Sequence, residues 1–310
     1  MIRMRRVPAT AALAVLVATL ATACSGPGGP PATGGQPAPA PAPASAGSCH
    51  AGVSGAENWI MGSGELSAAQ AAGASSVRYA VGSAHLFVLL LRGQTSTAGQ
   101  EVADFRSYAE LKKMIRQGTI APGIRWVMYD NEQWSLTPAD EQADPVHYEQ
   151  LFARLAHRQG YKVILAPAQD LVPGFDKNSF RTGKAVWPSY LSMGLAAASA
   201  RAADIYEIQA QPYEMSVYRS QHAYADFVAA AAAQARAANP GIAIYAGLST
   251  QRVSSAAQLL QDYEATRNLV DGYWLNIPRH DQPGPPGLAD QFLRTIPASA
   301  SASAATCAGA

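Results

Sequence analysis

The chain has 310 residues, a net charge of +1 and 48% hydrophobic residues. A charge so close to zero offers no basic surface of the kind that binds nucleic acid, so we expect no nucleic-acid partner. No second low-complexity linker interrupts the sequence after residue 48, which favours one large domain.

The N-terminus has the features of an export signal. Three arginines in the first six residues precede an uncharged stretch at 11–23 that is too short to span a bilayer as a helix. The stretch ends in small residues before Cys24, which resembles a bacterial lipobox, whose cysteine is lipidated after cleavage. We predict a signal peptide over 1–23 and a lipid anchor at Cys24. The protein would then lie on the outer face of the cell membrane or, with an ordinary secretory signal cut near Ala23, be secreted.

The next segment predicts a tether, and the cysteines predict a disulfide. Residues 24–48 are rich in Pro, Ala and Gly and lack charges and aromatic rings, so they cannot bury enough apolar surface to fold. With Cys24 lipidated, Cys49 and Cys307 remain at the two ends of the domain 49–310. We expect them to be bonded in an oxidising compartment. The cysteines do not cluster and the histidines lack metal-ligand spacing, so we expect no metal or other cofactor.

Short apolar runs alternate with amphipathic helical patterns along the domain. Strong strand patterns lie at 85–92, 125–132, 161–169, 204–211, 242–249 and 271–278, with weaker ones at 59–65 and 76–81. Helical patterns lie at 148–160, 190–202, 223–241 and 255–269. Nearly continuous apolar runs are typical of parallel strands buried on both faces. We predict an α/β fold, a (β/α)₈ TIM barrel with an irregularity in its first two strands. An open doubly wound sheet is the alternative, disfavoured because no glycine-rich phosphate loop follows a strand.

Polar residues follow the apolar part of four of these strands. Alternation along a strand places Asp130 and Glu132 on one face. The same reasoning selects Gln169, Glu207, Gln209, Gln211, Trp274 and Asn276. Because the chemistry of TIM barrels collects at the carboxyl ends of the strands, we expect these side chains to converge on one site. Carboxylates and amides bind hydroxyl groups and tryptophan covers an apolar sugar face, so we predict a carbohydrate ligand; a polar rim without a ligand is the alternative.

The series of strands resembles glycoside hydrolase family 18, the chitinases and endo-N-acetylglucosaminidases. In that family strand four ends in an Asp-x-Glu pair, which matches Asp130 and Glu132. The segments "VILAPAQ", "EIQAQ" and "GLST" resemble the ends of the family's strands five, six and seven, and Trp274 matches its strand-eight tryptophan. The resemblance covers about residues 86–276.

This resemblance implies retaining, substrate-assisted hydrolysis of glycans that contain N-acetylhexosamine, by a monomer that needs no cofactor. Glu132 would be the general acid. Asp130 would raise its pKa and orient the acetamido group of the substrate. Trp274 would form the floor of the subsite, and the sugar hydroxyls would bind Gln169, Gln209 and Asn276.

Departures from the family pattern leave two other interpretations open. Trp126 and Met128 stand where the family places further acidic residues on strand four. The chain could therefore be a glycan-binding or envelope scaffold lipoprotein without catalysis. Another group of retaining glycosidases places its acid after an asparagine, as in Asn131–Glu132. The nucleophile of those enzymes is a glutamate on strand seven. The predicted strand seven of this chain has none, so Glu207 on strand six would have to take that role.

Overall fold

The computed structural model describes residues 58–73, 85–91 and 93–296. None of the helices within these ranges is both long and apolar enough to cross a bilayer. Several sequence predictions concern residues outside these ranges: the signal peptide, the lipid anchor at Cys24, the tether, the disulfide between Cys49 and Cys307, and the strand at 76–81.

Eight parallel strands close into a barrel, in which each strand pairs with the next and the last pairs with the first. This confirms the predicted (β/α)₈ architecture. The strands are β1 Asn58–Gly62, β2 Leu86–Leu90, β3 Gln100–Phe105, β4 Trp126–Tyr129, β5 Lys162–Leu165, β6 Ile205–Ile208, β7 Ala243–Ser249 and β8 Gly272–Asn276.

Helices connect most of the strands and cover the barrel. They are α1 Ser63–Gly73, α2 Tyr108–Gln117, α3 Ala139–Ala143, α4 Pro145–Arg158, α5 Ser179–Thr182, α6 Trp187–Ser192, α7 Leu195–Ala202, α8 Ser216–Arg219, α9 Ala223–Ala238, α10 Ala256–Thr266 and α11 Gly284–Thr295. Two short 3₁₀ helices, Gln169–Leu171 and Gln211–Glu214, follow β5 and β6 directly. Both lie at the carboxyl end of the barrel, where they shape the candidate site.

Strand β3 is the barrel strand that the sequence pattern did not predict. Four of its six residues are half-buried and only Val102 and Phe105 are buried, so it does not form a continuous apolar run. It pairs with β4 through Val102 opposite Trp126 and Asp104 opposite Met128. The described residues that connect β2 to β3 form no helix, so the barrel is irregular at this point.

Side chains on the two faces of the strands build two separate apolar clusters. The inward faces fill the barrel interior with a cluster that includes Trp126, Met128, Ile164 and Ile205. The outward faces, such as that of Tyr129, pack against the surrounding helices. Because inward positions recur every second residue, the interior stack of β4 continues from Trp126 and Met128 to Asp130 at the strand end.

Local signals position the helix that follows β3. Ser107 accepts a hydrogen bond from the backbone N–H of Glu110 at 3.0 Å and so caps the start of α2. The helix ends at Gly118, whose φ of 60° lies in the left-handed region that glycine adopts without strain. The cap at Ser107 fixes the short connection between β3 and α2, which carries Arg106.

Candidate functional site

A cleft of about 300 Å³ opens at the carboxyl ends of the strands. Its wall is formed by polar side chains and a few aromatic ones from β4 to β8 and their loops. They include Glu132, Gln169, Asp170, Phe175, Lys177, Phe180, Gln209, Gln211, Arg252, Trp274 and Asn276. This is the face on which TIM barrels place their active sites, and the volume suits a small molecule.

An arginine between two buried carboxyl groups underlies the cleft. Nη2 of Arg106 lies 2.8 Å from Oδ2 of Asp104, and Nε of Arg106 lies 3.6 Å from Oδ2 of Asp130. The side chains of both aspartates are only 5% exposed. One cation therefore serves two carboxyl groups that water does not reach.

Burial makes these carboxyl groups weak acids. Burial and repulsion from Asp130 raise the pKa of Asp104 to about 8, against the attraction of Arg106. Burial also raises the pKa of Asp130, and repulsion from Glu132 adds to the increase. Below the raised pKa values the floor of the cleft holds protons that exposed aspartates would have lost.

Glu132 stands at the wall of the cleft, in the loop after β4. The loop is held by Thr137, whose hydroxyl donates to the carbonyl of Arg106 at 2.8 Å and accepts from the indole N–H of Trp134 at 2.7 Å. Burial, followed by repulsion from Asp170, raises the pKa of Glu132 to about 7. Glu132 therefore combines contact with the cleft and a pKa near neutrality, which an acid–base catalyst needs.

Three glutamine side chains form one edge of the site. Gln209 donates from Nε2 to Oδ1 of Asp130 at 2.8 Å and to the carbonyl of Ala166 at 2.8 Å. Gln169 donates to the carbonyl of Gln209 at 2.9 Å. Gln211 lies against Gly247, where a Cβ atom would overlap its side-chain amide. The glycine on β7 therefore makes room for a cleft residue supplied by the 3₁₀ helix after β6.

Two buried polar atoms of the cleft wall have no hydrogen-bond partner among the described residues. They are the indole Nε1 of Trp274 and Oε1 of Gln169, on side chains that are 8% and 2% exposed. The first is a donor and the second an acceptor. Buried polar groups are normally hydrogen-bonded, so these two atoms mark positions in the wall that a bound ligand or an ordered water can satisfy.

The structure brings together the site residues that the sequence predicted, in two layers. Glu132, Gln169, Gln209, Gln211, Trp274 and Asn276 line the cleft. Asp130 lies beneath it, and Glu207 is fully buried in the barrel interior. Gln169 and Gln211 reach the cleft from the 3₁₀ helices rather than by strand alternation, because β5 ends at Leu165 and β6 at Ile208.

Five further charged residues of the site were missed by the sequence reasoning. Asp104 and Arg106 belong to the unpredicted β3 and its connection. Their signal was present, since "VADFR" turns polar at its end in the same way as "VMYDNE". The other three lie beyond the strands, where no periodic pattern points to a site: Asp170 in the 3₁₀ helix after β5, and Lys177 and Arg252 in loops.

The described residues contain no cluster of three or more His, Cys, Asp or Glu side chains arranged to hold a metal ion. The carboxyl groups of the floor instead contact Arg106 and Gln209.

Comparisons with known proteins find similar barrels but no family. No family model and no curated protein matches the chain. An archaeal fructose-1,6-bisphosphate aldolase has 9% identity and a TM-score of 0.44, over 77% of this chain and 93% of that one. A citrate lyase from Burkholderia xenovorans LB400 has 11% identity and a TM-score of 0.41, over 76% and 77% of the two chains. A 2,3-dimethylmalate lyase of the PEP mutase/isocitrate lyase superfamily has 12% identity and a TM-score of 0.37, over 73% and 76%. Similarity this low transfers no activity to the chain.

These comparisons correct the sequence analysis. The predicted relation to glycoside hydrolase family 18 is wrong, since no family model matches and the similar barrels are aldolases and lyases rather than chitinases. The predicted hydrolysis of N-acetylhexosamine glycans falls with that relation, and the glycan-binding or envelope scaffold alternative finds no support either. An Asp-x-Glu pair at a strand end is a weak marker, because barrels generally place polar groups there. The upstream positions, Trp126 and Met128, are part of the apolar barrel interior.

Proposed function

We propose that the cleft is the active site of an enzyme in which Glu132 acts as a general acid and base on a small hydroxylated substrate. The observation that carries the proposal is a carboxyl group in the cleft wall whose pKa burial raises to about 7. Such a group is present in both protonation states at neutral pH, so it can donate a proton in one step and accept one in another.

The residues around Glu132 support this role. Asp104 and Asp130 surround Arg106 beneath the cleft and create a buried, weakly acidic floor. Gln209 holds Asp130 in place by the hydrogen bond from Nε2. A perturbed titratable group that lies in a cleft and has identifiable charged neighbours is a candidate catalytic residue.

The hydroxylated nature of the substrate is inferred from the unpaired atoms of the cleft wall. Hydroxyl groups suit both atoms, since one can accept a hydrogen bond from Nε1 of Trp274 and another can donate one to Oε1 of Gln169. Satisfying two buried groups at once favours such a ligand over an apolar one, which would leave both unpaired at a cost of about 1–3 kcal/mol each.

The first test is the titration of Glu132 itself. In full-length protein labelled with ¹³C at the glutamate carboxyl groups, NMR should give a midpoint near 7 for the resonance that disappears in Glu132→Gln. A midpoint close to 4.5, the ordinary value, would contradict the proposal.

The second test measures proton transfer. Small hydroxy acids and polyols in D₂O are monitored by ¹H NMR for exchange or conversion. Glu132→Gln should lower the rate by about 10²–10⁴-fold, which is the usual contribution of general acid–base catalysis. The control is Glu264→Gln, which removes an exposed carboxyl group of a surface ion pair with Arg267. Equal rates in the parent and in Glu132→Gln would refute the assigned role.

A further inference from the structure

Arg252 lines the cleft in the loop that follows β7 and forms no ion pair with any described residue. Its one polar contact there is a weak one, from Nη1 to Sδ of Met215 at 4.0 Å. Its charge nevertheless acts on the site, because it lowers the pKa of Glu132 against the effect of burial. The guanidinium thus lines the same cleft as Glu132 and is available to a ligand.

A second cation, Lys177, lines the same cleft from the loop after β5. It lies near Asp170, whose pKa it lowers against burial, and forms no ion pair with a described residue. Oδ1 of Asp170 accepts a hydrogen bond from the backbone N–H of Gln133 at 2.9 Å, which ties that carboxylate to the loop of Glu132. The charge of Arg252 likewise acts on Glu132 and on Glu214. Of the two cations, Arg252 suits an oxyanion better, because its planar guanidinium can make a two-point contact.

We propose that the substrate is a small hydroxylated anion, whose carboxylate or phosphate group binds Arg252 while its hydroxyl groups contact Trp274 and Gln169. This inference rests on the proposed acid–base function and names the class of molecule on which it acts.

Charge balance in the cleft favours an anion. The charged groups of its wall are Glu132, Asp170, Lys177 and Arg252. When Glu132 carries its proton, the remaining charges of the wall sum to one positive charge, which a monoanion neutralises. Beneath the wall, Arg106 lies between Asp104 and Asp130. The planar guanidinium also matches carboxylate and phosphate oxygens in a two-point contact, which a neutral polyol cannot reproduce.

Anion binding and the protonation of Glu132 are linked. An anion beside Arg252 offsets the positive charge that favours the ionised form of Glu132, and it adds a negative charge nearby. Bound anion therefore makes Glu132 a weaker acid, so binding should take up protons and become tighter as pH falls through neutrality. Binding of the substrate therefore increases the fraction of Glu132 that carries a proton and can donate it.

The experiment compares three probes that share a glycerol skeleton: glycerate, glycerol 3-phosphate and glycerol. Binding to the full-length protein is followed by NMR, through the indole N–H of Trp274 and the carboxyl resonance of Glu132. The indole signal is assigned by its loss in Trp274→Phe. We expect at least one of the two anions to bind at least tenfold more tightly than glycerol and to raise the titration midpoint of Glu132. The preferred anion identifies whether carboxylate or phosphate is recognised.

Two variants locate the anion. Arg252→Gln should weaken binding of the preferred anion by about 10- to 100-fold, the range expected for hydrogen bonds to a charged group. Arg158→Gln, at the end of α4 where the chain enters the opposite end of the barrel, should leave binding unchanged. Equal binding of glycerol and both anions, equal loss in the two variants, or no binding of any probe would overturn the inference. An ordinary midpoint for Glu132 in the free protein would instead overturn the proposed function.

Discussion

Two groups of buried carboxyl side chains in this barrel differ in how their oxygen atoms are satisfied. The clamp carboxyls, Glu65, Glu141 and Glu214, each accept backbone N–H groups. Among the cleft carboxyls, Asp104, Asp130, Glu132 and Glu207, oxygen atoms of Asp104 and Glu207 have no partner among the described residues. Burial alone therefore does not distinguish a structural acid from a candidate catalytic one.

Glu141 illustrates the structural type. It accepts hydrogen bonds from the backbone N–H groups of Tyr108 and Ala109 at 2.7 and 3.0 Å, and from the hydroxyl of Tyr129 at 2.6 Å. One side chain thus joins the start of α2, the end of β4 and the loop that carries Glu132. Its charge is balanced by donors at a helix N-terminus, where a carboxylate is stabilised.

Glu207 illustrates the other type. It is fully buried in the barrel interior, and neither carboxyl oxygen has a partner among the described residues. Burial, together with repulsion from Asp130 and Glu132, raises its pKa well above the usual value. The protein tolerates an unsatisfied polar group directly beneath the cleft, which is where a functional requirement can override stability.

The largest expected effect of this difference is on the pH dependence of stability. Asp104 has an ordinary pKa of 3.8 that folding raises to about 8. A raised pKa in the folded state means that the folded protein binds more protons than the unfolded chain. The contribution of Asp104 to the free energy of unfolding is therefore complete below about pH 4 and is lost as pH rises towards 8. In this window, each such group makes the free energy of unfolding fall by up to about 1.4 kcal/mol per pH unit.

Urea unfolding of the parent between pH 5 and 8 should therefore give a free energy of unfolding that falls with pH. Asp104→Asn keeps the shape of the side chain and removes the titration. The free energy of unfolding of this variant should therefore fall less steeply with pH, by the equivalent of about one bound proton. A free energy that rises over this range, or an unchanged slope in the variant, would show that Asp104 is ionised in the folded protein.

The next effect concerns a clamp carboxyl. Glu141→Leu leaves the N–H groups of Tyr108 and Ala109 and the hydroxyl of Tyr129 without their acceptor. We expect a loss of about 3 kcal/mol in the free energy of unfolding, since each buried orphaned group costs about 1–3 kcal/mol and the helix N–H groups regain some hydration. Glu141→Gln retains one acceptor oxygen and should lose less. Equal stability of the parent and Glu141→Leu would mean that this carboxyl group is not a clamp.

The sequence predicted the barrel because seven of its eight strands are short apolar runs with helical patterns between them. It failed at β3, where only Val102 and Phe105 are buried and the apolar signal is correspondingly weak. That one omission removed Asp104 and Arg106 from the predicted site, although they belong to the same inward layer as Asp130.

The candidate site was predictable only as far as strand position determines it. Asp130, Gln209 and Trp274 follow from inward alternation at strand ends. Lys177 and Arg252 come from loops, whose conformation depends on tertiary contacts rather than on periodicity. The chemistry was wrong for a related reason: an acid pair at a strand end identifies the polar face of a barrel, but the contacts around that pair determine what the face can do.

The smallest expected effect, and the one with opposite sign, is the response to an apolar side chain at Glu207. Since neither carboxyl oxygen has a partner among the described residues, Glu207→Leu removes a desolvated polar group without orphaning another. Replacing such a group by an apolar one of similar volume is neutral or stabilising, and we expect a gain of about 1–2 kcal/mol in the free energy of unfolding. Glu207→Gln is the matched control, because it keeps a buried polar group of the same shape and should gain little. Both are measured by urea unfolding at one mildly acidic pH, because burial raises the pKa of Glu207 and so favours its neutral form there. A loss of stability in Glu207→Leu would place Glu207 with the clamp carboxyls, as a side chain that holds the barrel together rather than one retained beneath a reactive cleft.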